Sequence, residues 1–482
     1  MSTIEVDVAV IGAGTAGLAA YRAAIAAGKT AVIIEGGPYG TTCARVGCMP
    51  SKLLIAAAEA AHATQKWAEF GLRLHGEVEV DGKAVMARVK RERDRFVGFV
   101  TRGVDGIPAQ HKLRGFARFV DDRTLEVNER RVRFGRAVIA TGSSPCIPPL
   151  LRAAGDRLIV NDDIFDWDAL PRSVAVFGPG VIGLELGQAL HRLGVVVHMF
   201  GRGGSVGPFT DPALRAYAEK TFRGEFFLDA DAEVQRIERI TEGVRIRYVD
   251  SNAADRSTGV GEIVVDYVIA ATGRAPNVRN LGLEHTAVKL LSNGVPRFDR
   301  RTLRCGDTNI FIAGDANNDL PLLHEAADEG RIAGTNAANY PVVEPGLRRA
   351  PLAIVFSDPQ LAVVGQRFAD LDPSRIVIGE VSFEDQGRSR VMLRNVGLLH
   401  VYADVDTGVF LGAEMIGPDA EHIGHLLAWA LQSGLTIAEM LDMPFYHPLV
   451  QEGLRTALRD AQARLEQARL EKTAPSRYPM AA

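Results

Sequence analysis

Cysteine is scarce in this sequence, with four among 482 residues. That number is too small for a disulfide-stapled secreted domain and favours a cytoplasmic setting. Long hydrophobic runs are missing as well: none reaches the roughly 18–20 residues that span a bilayer, and the first residues lack the basic and apolar regions of a signal peptide. Neither sign of charge is in excess, because 55 Lys and Arg face 59 Asp and Glu and leave a formal charge of −4. We therefore expect no membrane and no nucleic-acid partner.

Glycine, in contrast, is abundant, with 49 residues, and its positions are informative. An apolar run at residues 6–11 precedes Gly12-Ala-Gly14-Thr-Ala-Gly17, an alanine-rich helical stretch and a second apolar run that ends in Glu35. In such a strand–turn–helix unit the first two glycines permit a tight turn and the close approach of a pyrophosphate, and the third lets the helix pack on the strand. The acid at the end of the second strand can accept hydrogen bonds from a ribose. The unit predicts a dinucleotide site.

A second unit of the same kind begins at Gly178-Pro-Gly180-Val-Ile-Gly183. Here the acid is missing, because the position that corresponds to Glu35 is Gly201, followed by Arg202. An arginine at this place can accommodate a 2′-phosphate, although an ordinary solvated loop residue is the alternative interpretation of Arg202. The pattern favours NADP(H). NAD(H) stays open, because Gly183 stands where NADP-linked proteins often have alanine.

Two of the four cysteines, Cys43 and Cys48, lie five positions apart after the first unit. In a regular helix their Cα atoms would be about 8–9 Å apart, beyond the usual disulfide span of roughly 4.4–6.8 Å. A bridge therefore needs a distorted helical turn, and Gly47 supplies the freedom. So small a loop would make a strained, reducible disulfide that suits exchange. The alternative is two buried cysteines that act as small hydrophobic residues.

The sequence resembles the flavin-dependent pyridine nucleotide-disulfide oxidoreductases, and within them the dihydrolipoamide dehydrogenases, over nearly its whole length. The motifs that carry the resemblance are Gly12 to Gly17, Cys43 to Lys52, Ala140-Thr-Gly142, Gly178 to Glu185, Ala271 to Asn277, Gly314-Asp315, and His447-Pro448 with Glu452. The resemblance implies FAD at the first unit, NAD(P) at the second and a redox-active Cys43–Cys48 pair. It also implies that Lys52 lies by flavin N5 and pairs with Glu185. The further residues assigned to the two cofactor sites are Gly12, Gly14, Gly17, Glu35, Gly115, Thr141, Gly142, Asp315, Gly178, Gly180, Gly183, Arg202 and Gly273.

The resemblance and the strand–helix alternation together predict an α/β fold with two Rossmann-like dinucleotide-binding domains and a C-terminal α+β dimerisation domain. Proline and polar clusters at residues 144–149 and 340–345 mark plausible boundaries. The predicted parts are 1–150 and the return segment 275–345 for FAD, 151–274 for NAD(P), 346–470 for dimerisation, and a polar tail at 471–482.

The third chemical element is His447-Pro448, with Glu452 five residues after the histidine. Pro448 suits the first turn of a helix, and an acid can orient a histidine as a general base. The resemblance implies a homodimer in which His447 reaches the cysteine pair of the other subunit. Thr41 replaces a family glycine, and Tyr446 is bulkier than the family pattern; these departures bear on the disulfide substrate.

Three functions compete. A dihydrolipoamide dehydrogenase-like enzyme would oxidise a dithiol, including one on a lipoyl-bearing protein. The second is an NADPH-dependent reductase of another small disulfide, and the third is a flavoprotein that serves as a binding component of a larger complex. The sequence lacks the C-terminal cysteines of mercuric reductases and the extra redox pair of large thioredoxin reductases. No His, Cys and carboxylate cluster has metal-ligand spacing, so we expect no metal.

Overall fold

Strands and helices alternate along the N-terminal part of the chain, and the computed structural model describes residues 2–253 and 259–473. The apolar run before the first glycine loop is a central strand, in which Val8, Ala9 and Val10 have no exposed surface. The strands of this part are β1 (Ser2–Ile11), β2 (Ala31–Glu35), β3 (Lys112–Arg114), β4 (Ala117–Asp121), β5 (Thr124–Val127), β6 (Arg130–Ile139) and β7 (Ser143–Pro145). The helices are α1 (Thr15–Ala26), α2 (Thr42–Val46), α3 (Cys48–Ala63) and α4 (Gly82–Asp105).

The middle of the chain repeats the alternation and adds antiparallel strands. Its strands are β8 (Leu158–Val160), β9 (Ser173–Phe177), β10 (Val196–Phe200), β11 (Phe227–Asp229), β12 (Glu233–Ile240), β13 (Gly243–Val249), β14 (Val260–Val265), β15 (Tyr267–Ala270) and β16 (Arg274–Pro276). The helices are α5 (Asn161–Ile164), α6 (Val181–Arg192) and α7 (Pro212–Arg223). Helix α7 begins where the sequence favours a start: Asp211 accepts hydrogen bonds from the amides of Ala213 and Leu214, and proline is the first helical residue.

The remaining elements follow after a long irregular stretch. The strands are β17 (Ile310–Ile312), β18 (Leu352–Val355), β19 (Gln360–Gly365), β20 (Ile376–Ser382), β21 (Leu398–Asp404) and β22 (Phe410–Gly417). The helices are α8 (Leu323–Asn339), α9 (Gly387–Val391), α10 (Ala420–Gln432), α11 (Ile437–Leu441) and α12 (Glu452–Thr473). Of the predicted tail at residues 471–482, the first three residues end α12 and the rest lie outside the described residues.

Two parallel sheets carry the two glycine loops. In the first, strands β3, β2, β1, β6 and β17 run parallel, and β5 and β4 extend it in antiparallel fashion. The second has the parallel order β11-β10-β9-β15-β8. The short ribbon of β7 and β16 lies where the chain passes from one unit to the other and back. Beside the first sheet, helices α1 and α8 pack tightly against each other, because a Cβ at Gly330 of α8 would lie 2.1 Å from the carbonyl oxygen of Ala16 of α1.

The C-terminal part is an antiparallel sheet of order β18-β19-β22-β21-β20, against which α10 and α12 pack. Its core is formed by side chains such as Phe383, Phe410, Ile423 and Leu458, which have no exposed surface. The architecture confirms the predicted fold class of two Rossmann-like units and an α+β unit. The boundaries at residues 150, 274 and 345 stay predictions. No helix within the described ranges combines the length and apolar character that membrane crossing requires.

Candidate active site

The first glycine loop joins β1 to α1 and is held by backbone contacts. Gly12 has φ +108°, and a Cβ there would lie 2.2 Å from the carbonyl oxygen of Ala140. A Cβ at Gly17 would lie 1.9 Å from the carbonyl oxygen of Gly12. A side chain at either position would collide with main-chain atoms, so both glycines are required by the fold of the loop.

The second loop joins β9 to α6 and has the same geometry. Gly178 has φ +107°, and its Cβ would lie 2.4 Å from the carbonyl oxygen of Ala271, while the Cβ of Gly183 would lie 1.9 Å from the carbonyl oxygen of Gly178. An alanine in place of Gly183 would therefore force this loop to move. The glycine is thus required by the packing of this loop.

The middle glycine of each loop is in a different environment. Gly14 and Gly180 have ordinary φ values of −77° and −84°, and a Cβ at either would meet no protein atom within 4 Å. Each residue is also the N-cap of its helix, without a side chain to bond the first amides. The open space and the free amides at a helix N-terminus fit a pyrophosphate at both loops.

The two units differ at the end of the second strand. Glu35, the last residue of β2, accepts hydrogen bonds from the amides of Ala13 and Gly37, at 2.8 and 2.7 Å. In the second unit Gly201 follows β10, and a Cβ there would lie only 2.5 Å from the carbonyl oxygen of Ala230. The backbone thus excludes an acid at this position, and the next residue, Arg202, is exposed.

Several residues predicted at the FAD site surround the C-terminal end of the first sheet. The Ser143 hydroxyl donates to a carboxylate oxygen of Asp315 at 2.6 Å. The hydroxyl oxygen of Thr141 is buried and has no hydrogen-bond partner among the described residues. Gly115, with φ +144°, lies directly beside β2 through a hydrogen bond from its amide to the carbonyl of Glu35. The open middle glycine, the orphaned Thr141 hydroxyl and the Glu35 carboxylate fit a flavin dinucleotide.

The cysteine pair lies at a break between two helices. Helix α2 ends at Val46, and α3 begins at Cys48, because Gly47 has the non-helical dihedrals φ −129° and ψ −119°. A Cβ at Gly47 would lie 3.2 Å from the Cα of Cys43, so the break brings the backbone of the two cysteines close together. This is the distorted turn that the spacing predicts.

Both cysteines are free thiols in this structure, and their side chains lie close enough to interact directly. The hydrogen bond from Cys43 and the positive charge of Lys52 lower the pKa of the Cys48 thiol to about 7, against the opposing effects of burial and of Glu185. The same hydrogen bond and burial raise the pKa of Cys43. The opposite directions of the two pKa shifts favour a thiolate on Cys48 over one on Cys43.

Thr41 immediately precedes this helix pair and adopts φ +58° and ψ +151°. That region is open to glycine and costs a β-branched residue roughly 1–3 kcal/mol. The Thr41 hydroxyl caps α2 by accepting a hydrogen bond from the amide of Ala44 at 3.3 Å. Threonine in place of the family glycine therefore adds backbone strain at residue 41 and also provides a helix cap next to Cys43.

Lys52, one helical turn after Cys48, forms an ion pair with Glu185 of α6. The distance from its Nζ to the Glu185 carboxylate is 2.7 Å, and the Glu185 side chain is 7% exposed. The second carboxylate oxygen of Glu185 accepts a hydrogen bond from the amide of Phe356 at 3.0 Å. The pair thus joins the cysteine helix, the second glycine-loop helix and the C-terminal part of the chain.

His447 lies on an exposed loop and makes its side-chain hydrogen bonds to Glu452. Its Nδ1 is 3.0 Å from one carboxylate oxygen of Glu452 and 3.2 Å from the other, and its side chain is 80% exposed. Pro448, predicted in the first turn of a helix, is not there: α12 begins four residues later, at Glu452. The helix begins later because the Glu452 carboxylate accepts a hydrogen bond from the amide of Leu449, at 3.3 Å. This hydrogen bond closes the turn that precedes the helix.

Sequence reasoning named Glu185 but missed Gln188 and Arg192, which join it in docking the C-terminal part onto this site. Glu185, Gln188 and Arg192 lie on one face of α6, and each contacts the segment at residues 356–358. Their spacing of three and four residues was a usable signal for a shared face. Nothing in the sequence indicates which segment that face meets. In the described ranges no group of three His, Cys, Asp or Glu side chains is arranged to hold a metal ion.

Comparison with known families agrees with the geometry. Residues 6–330 match the model of the pyridine nucleotide-disulphide oxidoreductases, and residues 352–458 match the dimerisation domain of the same family. The chain belongs to the pyridine nucleotide-disulphide oxidoreductase family. Membership implies FAD and a pyridine nucleotide as cofactors and assigns the C-terminal sheet to a dimerisation domain.

Curated relatives carry two different names. A mercuric reductase of Acidithiobacillus ferrooxidans is 31% identical over 94% of this chain and 82% of its own length. A dihydrolipoyl dehydrogenase of Geobacillus stearothermophilus is 29% identical over 93% of this chain and 94% of its own. Two relatives with different named activities are thus similar to this chain at nearly equal identity.

Solved structures show the same fold at lower identity. LpdA from Mycobacterium tuberculosis superposes with a TM-score of 0.78 at 24% identity, over 95% of this chain and 99% of its own. The HOCl-induced flavoprotein disulfide reductase RclA from Escherichia coli gives 0.76 at 22%, with the same two coverages. These likenesses concern the fold alone.

Proposed function

We propose that this protein is an FAD-dependent dithiol/disulfide oxidoreductase that exchanges electrons between NAD(P) and a small disulfide through Cys43 and Cys48. The observation that carries the proposal is the break at Gly47, which places Cys43 and Cys48 side by side at the start of the helix that carries the Lys52–Glu185 ion pair. When bound, FAD supplies two-electron transfer between the dithiol and the pyridine nucleotide. The residues proposed to hold it are Gly12, Gly14, Gly17, Glu35, Gly115, Thr141, Gly142, Asp315 and Lys52. Those proposed for the pyridine nucleotide are Gly178, Gly180, Gly183, Arg202 and Gly273.

The protein side of the reaction is thiol–disulfide exchange. With the pair oxidised, a substrate thiol loses its proton to His447 and attacks the sulfur of Cys43, and Cys48 leaves as a thiolate. The second substrate thiol then loses its proton to solvent, and its sulfur attacks the first substrate sulfur, which is bonded to Cys43 in the mixed disulfide. Cys43 leaves and takes up the proton held by His447. The substrate has become a disulfide, and the Cys43–Cys48 pair has gained two electrons. A low thiol pKa makes Cys48 the better leaving group, and the lowered pKa of Cys48 supplies that property.

His447 has the geometry of an oriented base. With Nδ1 held by Glu452, the neutral imidazole carries its proton there and presents a free lone pair at Nε2. Among the described residues its side-chain hydrogen bonds go to Glu452, not to the cysteine helices. Its exposure and its place in the dimerisation domain support a homodimer in which His447 serves the cysteine pair of the other subunit.

We propose a dihydrolipoamide-like dithiol as the substrate, because the resemblance to dihydrolipoamide dehydrogenases covers the cysteine, lysine and histidine motifs together. Reduction of another small disulfide by NADPH is the second candidate, and the exposed Arg202 at the position that lacks an acid favours it. The same residues would serve dithiol oxidation and disulfide reduction. The candidates differ in the coenzyme and in the disulfide.

The test is a steady-state assay that crosses NADH and NADPH with lipoamide, glutathione disulfide and other small disulfides, and with Hg(II), since a relative is a mercuric reductase. Cys43→Ser and Cys48→Ser should each lose disulfide turnover, and Cys146→Ser, at a half-buried position outside the two cysteine helices, should keep it. Full activity of Cys43→Ser would refute the proposal. Turnover of Hg(II) but of no disulfide would refute the substrate assignment.

The dimer is tested by complementation. Cys43→Ser and His447→Gln homodimers should each be nearly inactive, because each lacks one half of both sites. Heterodimers refolded from the two variants should regain activity, since one site draws an intact cysteine pair and an intact histidine from different subunits. Verified heterodimers with bound FAD and no activity would place both elements in the same subunit.

A further inference from the structure

The dimerisation domain touches the redox site through three consecutive residues, 356–358, which we term the docking segment. Three side chains on one face of α6 grip it. The Phe356 amide donates to Glu185 at 3.0 Å, and the Asp358 amide donates to the Gln188 side-chain oxygen at 2.8 Å. Arg192, whose side chain is 6% exposed, pairs with the Asp358 carboxylate at 3.0 Å. The segment is therefore fixed in position relative to Glu185.

The ring of Phe356 also faces Lys52. The Lys52 Nζ lies 4.3 Å from the ring centroid, while the same ammonium is 2.7 Å from Glu185 and 3.4 Å from the Ser51 hydroxyl. A cation over a ring face is attracted by the electron density of that face, and more strongly where water is partly excluded. The Lys52 side chain is 32% exposed. The ammonium thus has an anion on one side and an aromatic face on another.

We propose that Phe356 is a positioning residue of the redox site: its amide orients Glu185, its ring confines the Lys52 ammonium, and together they keep Lys52 where it acts on Cys48. The inference rests on the proposed role of Cys48. It makes the docking segment the place at which the dimerisation domain adjusts the reactivity of the cysteine pair.

The expected consequence follows from the charges near Cys48. The groups that act most strongly on it are Cys43 from α2, Lys52 on its own helix and Glu185 from α6. Cys43 and Lys52 lower the pKa of Cys48, and Glu185 raises it. Without the ring, Glu185 still holds the Lys52 ammonium on one side, but no aromatic face confines it on the other. The ammonium then spends less time near Cys48, and its electrostatic effect on the thiol is weaker. The pKa of Cys48 should then rise.

The experiment isolates Cys48 in the FAD-bound Cys43→Ser protein, in which the serine hydroxyl can still donate a hydrogen bond. Ionisation of Cys48 is followed by titrating, against pH, the long-wavelength absorbance that a thiolate gives beside an oxidised flavin. Into this background come Phe356→Leu and Phe356→Met, which remove the aromatic face, Phe356→Tyr, which keeps it, and Lys52→Met as the reference for complete loss of the charge. Two non-aromatic variants are used so that one folding defect does not decide the result, and FAD content and Tm are checked for each.

We expect Phe356→Leu and Phe356→Met to move the midpoint of the Cys48 titration to higher pH. At a fixed pH below the midpoint, the fraction of Cys48 present as thiolate should fall about two- to fourfold. Phe356→Tyr should match Phe356, and Lys52→Met should move the midpoint at least as far as the leucine variant. The inference would be overturned if Phe356→Leu and Phe356→Met left the midpoint unchanged. It would also be overturned if Phe356→Tyr moved the midpoint as far as they do, or if Lys52→Met did not move it. If no band forms at any pH with Phe356 intact, the proposed placement of Cys48 fails, and the inference fails with it.

Discussion

The two glycine loops of this protein have nearly the same backbone and different surroundings. In both, the first glycine has φ near +107°, and the third would place a Cβ 1.9 Å from a carbonyl oxygen of the first. The strands that follow end differently: one ends in Glu35, whose carboxylate is held by two amides, and the other is followed by Gly201 and the exposed Arg202. The glycine loops themselves are therefore alike, and the two units differ at the residues that end or follow the second strand.

Substitutions at the middle glycines, Gly14 and Gly180, should separate the two loops most clearly. We predict that Gly14→Ala lowers FAD affinity at least about a hundredfold, while Gly180→Ala lowers NAD(P)H affinity by a similar factor and leaves FAD bound. A methyl group at either position enters the space through which the pyrophosphate approaches the backbone. FAD content after gel filtration and fluorescence titration with NAD(P)H measure the two effects.

The matched control is the protein without nucleotide. Both positions have φ values that alanine accepts and no protein atom within 4 Å of the new Cβ, so the apoprotein Tm should not change. Gly17→Ala, with its 1.9 Å contact to the Gly12 carbonyl oxygen, should lower it. Unchanged FAD and NAD(P)H affinities would show that the pyrophosphates bind elsewhere.

The next largest predicted effect concerns the choice between NADPH and NADH. Arg202→Glu should raise the Michaelis constant for NADPH about ten- to a hundredfold more than that for NADH, because a charge-assisted contact to the 2′-phosphate is replaced by repulsion. Gly201→Glu should not create an NADH enzyme, since its Cβ would lie 2.5 Å from the Ala230 carbonyl oxygen. It should weaken both coenzymes. Equal changes for both coenzymes in Arg202→Glu would show that Arg202 is an ordinary loop charge.

The smallest predicted effect concerns Asp231, which lies beside the same loop. Its carboxylate accepts a hydrogen bond from the Gly203 amide at 2.7 Å, so Asp231→Asn keeps an acceptor and removes a negative charge. NADPH affinity should rise about two- to fivefold and NADH affinity should stay constant, because only NADPH adds a phosphate near that charge. The gain should shrink at high salt. An equal gain for NADH would contradict this explanation.

The sequence indicated most of what the backbone pattern controls: both glycine loops, the break at Gly47 and the C-terminal sheet. Features that depend on distant contacts were not accessible. Phe356 is more than 300 positions from Lys52 in the chain, and no spacing rule links them. The start of α12 was misplaced because Pro448 is only a local signal, whereas the Glu452 carboxylate binds His447 and the Leu449 amide. Thr41 was visible as a departure, but its positive φ was not.

The central claim is that electrons pass between the pyridine nucleotide and the disulfide through Cys43 and Cys48. Its most direct test is to oxidise the FAD-bound protein, add one equivalent of NADPH or NADH per chain without oxygen, and count and locate new thiols by alkylation and mass spectrometry. We predict two new thiols per chain, on Cys43 and Cys48, with Cys146 and Cys305 unchanged. Consumption of the coenzyme with the pair still joined as a disulfide would contradict the account.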